Sequence, residues 1–488
     1  MVSPQDKVRE GGDTPTVDVW GTNGGMACRW PVLMLFLGAA LWLAAGAALG
    51  LMASIKFHSP MFLAEPAWLT YGRVKAASAA LLVYGFCVPA GLGVGLWLMS
   101  RLGRVALAGG ALGVFGALLL HLGVAAGLVG VLRGEGLGFF HLEFPAGAAA
   151  LVFLGYLLLG TIGVLTLYRR RDSRMEAAQW FVLAGLFWFG WIYSTANLCL
   201  ALFPVRGVAQ AAIHYWHTGN LLVVWMGLMG LGAAFGLGPR LAGRELNSDY
   251  LAMFVFWVLL LFGSWAGIPA TAPLPAWMPA LSTVGTVLSG LGALGVVVIG
   301  YRTVDGDYGV VWKDERLRFL ALGLAAYVLG GVMQVVEALS GGVWMLHFTW
   351  FSAAREWFQV YGFFALVMFA GIYTIVPRLL GCDWWSRRLV GLHFWLAGAG
   401  LVLVAGPLAV AGVVESGRLL NPAAGFVEVS RGTLMYLRVS TVGELLILAG
   451  NGLFVVNLAL GVAGYCRRVL VGAARRWGAQ ELGEGARV

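Results

Sequence analysis

QWFVLAGLFWFGWIYSTANL, Gln179–Leu198, runs for twenty residues without a single charge. As a helix it rises about 30 Å, the thickness of a bilayer's hydrocarbon core. A stretch of that length that is apolar on every face cannot be the surface helix of a water-soluble domain, which needs one polar side. It reads as a membrane span, and the rest of the chain follows from it.

The same criterion, applied outward in both directions, predicts spans near 30–54, 75–100, 105–132, 142–168, 177–203, 213–237, 249–268, 277–301, 318–340, 357–377, 389–413 and 440–465. The run at 249–268 is the least extended and ends at Pro269. Composition agrees: 60% of residues are hydrophobic, 11% are charged and the mean hydropathy is +0.83. Soluble domains carry roughly 25% charged residues, so this chain has too few to cover a water-facing surface. Its 72 glycines suit membrane helices, where small residues let backbones approach closely. The expected fold is an all-α, polytopic integral membrane protein. A polar tail would occupy 1–29, the membrane domain 30–466 and a basic tail 467–488.

The net charge of +9 does not indicate nucleic acid, because the basic residues sit in short loops rather than along one face. Twenty-three Lys and Arg fall in the tails and even-numbered loops against nine in the odd-numbered loops, counting the twelve spans above. The positive-inside rule therefore places both termini in the cytoplasm, with the 414–439 loop outside. The first run is long enough to be retained as a signal anchor. The five cysteines stand singly with no CxxC, so neither a zinc ribbon nor covalently attached haem is expected.

More specific blocks lie around the opening stretch. YWHTGN (Tyr215–Asn220) follows it, then WAGIPATAPLPAW (Trp265–Trp277), HFTWFSAAREWFQVYGFF (His347–Phe364), IVPRLLG (Ile375–Gly381) and HFWLA (His393–Ala397). YGRVKAASAALLVYGF precedes it. In order and spacing these blocks resemble subunit I of the C-family (cbb-type) haem–copper cytochrome c oxidases, relatives of the nitric oxide reductases, over roughly residues 60–465. The resemblance implies a twelve-helix bundle in a bacterial inner membrane, electron transport in respiration, and two b-type haems and copper held by six histidines. Neutral imidazole suits both metals.

Carried over position by position, none of the six histidines is present. The helix-two ligand falls on Ser78, the helix-six ligand on Gly219, the adjacent helix-seven pair on Pro269 and Ala270, and the helix-ten pair on Arg355 and Trp357. Arg and the indole of Trp offer donors but no free lone pair. His217 lies two residues before Gly219 and is rotated about 200° from it. His214 and His217, at i and i+3, share a face and are the candidates for a new haem or metal site, against a plain hydrogen-bonded role. His347 reads as a residue beside the ligands, and His393 and His121 as packed within helices. Glu337 and Glu444 are intramembrane acids, either interfacial or on a proton path. Arg355 and Glu356 suggest an interfacial ion pair.

The preferred reading is a paralogue without the ligands, binding no haem or copper itself and acting as a non-catalytic subunit or scaffold in a respiratory complex. Its expected partners are the lipid bilayer and other subunits, such as a membrane-anchored c-type cytochrome or an intact subunit I. One alternative is an active oxidase or nitric oxide reductase subunit with unusual ligation. Another is a transporter or a haem- or copper-handling protein on the same bundle.

Overall fold

The computed structural model describes residues 25–340 and 345–485, with side-chain surroundings for 28–340 and 345–471. Among the described residues, eleven helices are long and apolar enough to cross a membrane. They are α1 (Cys28–His58), α2 (Tyr71–Leu102), α3 (Gly110–Arg133), α4 (Ala146–Tyr168), α5 (Ala177–Leu202), α6 (Val208–Leu241), α8 (Trp277–Val304), α9 (Glu315–Leu339), α10 (Trp350–Leu380), α11 (Arg387–Leu419) and α12 (Phe426–Val471). Between α6 and α8 lies the shorter apolar helix α7 (Asp249–Trp265).

Two sequence expectations are corrected here. The seventh run does not extend to 268: its regular turns end at Leu261, a single tighter turn follows, and the chain leaves the helix before Pro269. The 414–439 segment is mostly helix rather than loop, because α11 continues to Leu419 and α12 begins at Phe426. The helix of α12 also continues through Gly485, so most of the basic 467–488 segment is helical. Residues 1–24 of the polar tail lie outside the described residues.

Short connections make neighbouring helices antiparallel and gather the odd-numbered connections at one end. There Phe57 at the end of α1 meets Trp350 at the start of α10, with ring centroids 4.9 Å apart. At the opposite end Arg240 of α6 clamps both carboxylate oxygens of Glu176, at 2.6 and 2.7 Å. Glu176 also caps α5, where its backbone N–H reaches Gln179.

Three helices form the centre of the bundle. α2, α6 and α10 are almost wholly buried, while the others turn roughly half their surface outward. Phe115, Leu118 and Leu122 of α3 face out, as lipid-facing positions should. Each central helix also widens into π geometry, at Leu81–Cys87, Asn220–Trp225 and Phe358–Ala365. Such bulges break the i→i−4 ladder and cluster at functional sites. Around them an aromatic core includes Tyr84, Phe189, Trp225 and Phe364, the last two stacked 5.4 Å apart.

In lipid no hydrophobic drive pulls helices together, so close backbone packing must. At the α11–α12 crossing, a Cβ on Gly443 would sit 2.7 Å from the Val404 nitrogen and 2.8 Å from the Gly400 oxygen. Only glycine fits there.

Candidate functional site

The three π turns begin one to three residues beyond Ser78, Gly219 and Trp357. The surroundings of these positions differ sharply.

Ser78 and Trp357 line one cavity of about 30 Å³ between α1, α2, α10 and α12. The Ser78 hydroxyl donates to the Gly46 carbonyl at 2.8 Å. Tyr361, Glu444 and Asn451 complete the polar lining, and the Tyr361 hydroxyl donates to the Asn451 side-chain oxygen at 2.9 Å. A second cavity of about 30 Å³ lies between α6, α7, α8, α9 and α10, lined by Ser289, Tyr327, Gln334 and Gln359 among apolar neighbours. Cofactor pockets run to about 300–1,000 Å³, so each of these spaces is roughly a tenth of the smallest.

Beside the second cavity stands a charge network. Arg355 donates through Nε to Glu337 at 2.6 Å and through Nη1 to the Gln359 oxygen at 2.9 Å, and Gln359 donates on to Gln334 at 3.1 Å. The Glu337 carboxylate also takes a hydrogen bond from Ser352 and lies 3.0 Å from His347 Nδ1. Glu337 is only 2% exposed, so a lone charge there would be costly; these donors compensate it. The partner of Arg355 is therefore Glu337 on α9, not its neighbour Glu356.

Gly219 is sealed by backbone. It packs onto Ala266–Gly267 at the end of α7, where a Cβ would collide with the Ala266 carbonyl. Gly267, at φ +103°, approaches so closely that its own Cβ would lie 2.7 Å from the Gly219 Cα. Asn220 pins this contact: its amide donates to Trp216 at 2.9 Å and to Ser264 at 3.0 Å, and it accepts from Trp188 at 3.1 Å. Pro269 and Ala270 lie beyond the helix in the connecting turn, Ala270 exposed.

His214 and His217 face the connection between α3 and α4. His214 Nε2 pairs with the Phe140 carbonyl at 3.1 Å. His217 is wholly buried, with neither ring nitrogen hydrogen-bonded among the described residues. Among those residues no three His, Cys, Asp or Glu side chains form a metal-binding group. His393 pairs with the Tyr373 hydroxyl at 2.9 Å, and His121 accepts from Trp42 at 3.2 Å, both packed as expected.

One cluster has no counterpart in the sequence reading. His141, buried in the α3–α4 connection, lies 3.1 Å from Glu356 of α10. Its carbonyl accepts from Tyr84, and its N–H donates to Glu143 at 2.8 Å. Burial disfavours the His141 cation, but the Glu356 carboxylate outweighs it and raises the pKa. Burial pushes Glu143 up to about 7 against the pull of His141. The local signal was the positive φ of His141, which a sequence does not display.

A family model of cytochrome c and quinol oxidase polypeptide I matches residues 30–446. The chain belongs to that family. It is a multi-pass membrane protein like subunit I of the haem–copper oxidases, a family that binds haems and copper. A cytochrome c oxidase subunit 1 homolog of Agrobacterium tumefaciens is 24% identical over 88% of this chain and 83% of its own length. The cbb3-type cytochrome c oxidase subunit CcoN1 of Stutzerimonas stutzeri is 23% identical over 77% and 81%. A heme-copper terminal oxidase dimer solved by cryo-electron microscopy shares the fold, with a TM-score of 0.73 and 16% identity over 89% of this chain and 84% of that one.

Proposed function

We propose that this family member is a non-catalytic subunit, binding neither haem nor copper and serving as a membrane scaffold within a respiratory complex. On this reading Ser78 and Trp357 stand at the low-spin haem positions, Arg355 at the high-spin position, and Gly219, Pro269 and Ala270 at the copper positions. The observation that carries it is the Arg355–Glu337 pair with its Gln359 and Gln334 extension, a linked polar network beside where a macrocycle would need open space. The donor set does not fit the cofactors: guanidinium and indole have no lone pair to give, and glycine has no side chain. No redox step is assigned to this chain.

What is retained supports the scaffold role. The central helices, their π turns and the glycine-lined crossings keep the family's shape without its ligands. Relatives in bacteria support the inner membrane as its location, and the basic asymmetry supports cytoplasmic termini. A tagged chain extracted in mild detergent is expected to co-purify with a haem-bearing respiratory subunit. A chain that elutes alone, from a strain whose respiration survives its deletion, would contradict the scaffold role.

A further inference from the structure

Glu444 is a carboxylic acid inside a membrane helix, and among the described residues it has no ion-pair partner. Acids so placed are functional candidates by default. Lys75 of α2 and Ser54 of α1 are the polar neighbours that act on its carboxylate. Ser54 Oγ lies 2.8 Å from Thr441 Oγ1, which lies 3.1 Å from Nε2 of His58 at the end of α1. At rest Thr441 also donates to the Leu437 carbonyl at 3.0 Å. Inward, Glu444 lines the Ser78 cavity together with Tyr361 and Asn451.

Helical spacing builds this file. Gly46, Gly50, Ser54 and His58 recur every four residues and so share one face of α1, while Thr441 and Glu444 stand at i and i+3 on α12. Gly50 leaves the space: a Cβ there would lie 2.9 Å from the Ser78 oxygen and 3.5 Å from a Glu444 carboxylate oxygen. The cavity volume of about 30 Å³ suffices for water, and Ser78, Glu444 and Tyr361 are the polar partners a buried water requires.

We propose that Glu444 is a proton-binding site in exchange with the membrane face at the His58 end, reached through Thr441 and Ser54, with its inner side on the hydrated remnant of a cofactor pocket. For a proton to move inward, each hydroxyl accepts one from its outer neighbour and releases its own to the inner one. Thr441 rotates away from Leu437 to do so. The only net change is neutralisation of Glu444. Beyond the cavity Tyr361 donates to Asn451, and the rings of Phe319, Phe369 and Phe454 pack around His393. The proposal concerns exchange on the His58 side alone.

The proposal rests on that pocket being free of haem. A haem assay on the same sample tests that condition, while the carboxyl spectrum tests the proton site. The full chain in lipid nanodiscs would be titrated by infrared difference spectroscopy and then transferred to deuterated water. A protonated-carboxyl band is expected in the parent, absent in Glu444→Gln and shifted but present in Glu444→Asp, which keeps an acid in the same site. Loss of one hydroxyl from the file in Thr441→Val is expected to slow deuteration of that band about tenfold. A Glu444→Gln spectrum retaining every such band, or a Thr441→Val chain exchanging at the parent rate, would overturn the proposal.

Discussion

The surroundings of Ser78 and of Gly219, which we propose stand at two of the family's ligand positions, differ in kind. At Ser78 the side chain is replaced and the helices keep a small, polar gap between them. At Gly219 the backbone of the next connection occupies the place a side chain would take, and Pro269 and Ala270 lie outside the helix. The first difference is a matter of side chains. The second is built into the chain path, and undoing it requires moving α7.

Substituting histidine at both positions would sharpen that contrast. Gly219→His drives a Cβ into the Ala266 carbonyl and is expected to cost about 4 kcal/mol or more, seen as loss of monodisperse protein. Ser78→His meets glycine-lined space and should cost about 2 kcal/mol, leaving a folded chain with a lowered melting temperature. Equal effects at the two sites would break the comparison. Between them in size stands Arg355→Ala, which strands the buried Glu337 carboxylate and is expected to cost about 3 kcal/mol. Adding Glu337→Gln to that variant should recover part of the loss, measured by thermal unfolding in detergent.

The smallest expected effect is a pH dependence at the α3–α4 connection. Glu143 titrates near 7 in the fold against an ordinary value of 4.5, so the folded chain holds the extra proton. Its unfavourable charge then lowers stability as pH rises from about 4.5 to about 7. The raised pKa of His141 acts in the same sense, because its pairing with Glu356 is lost as pH climbs through the folded value. Glu143→Gln should flatten the fall in melting temperature over that window. An unchanged profile would place the sensitivity elsewhere.

The sequence made the bundle legible because membrane spans are set by long uncharged runs, a local property. It left α7 ambiguous for the same reason: the 249–268 run is apolar throughout, and only Gly267 against Gly219 shows why the helix stops short. Candidate ligand positions came from register within each block and stand as a proposal. Their present partners were not legible. Glu337 is eighteen residues from Arg355 and on another helix, and Glu356 finds His141 from a connection more than two hundred residues away. His217 was expected to share a plain hydrogen-bonded role with His214, yet burial leaves its ring nitrogens without partners among the described residues.

The most direct test of the central claim is a pyridine haemochrome and metal analysis of the purified full-length chain. The account predicts neither haem nor copper in stoichiometric amount. Two haems per chain would contradict it, as would one haem that disappears on His214→Ala or His217→Ala, since either result would return redox chemistry to this bundle.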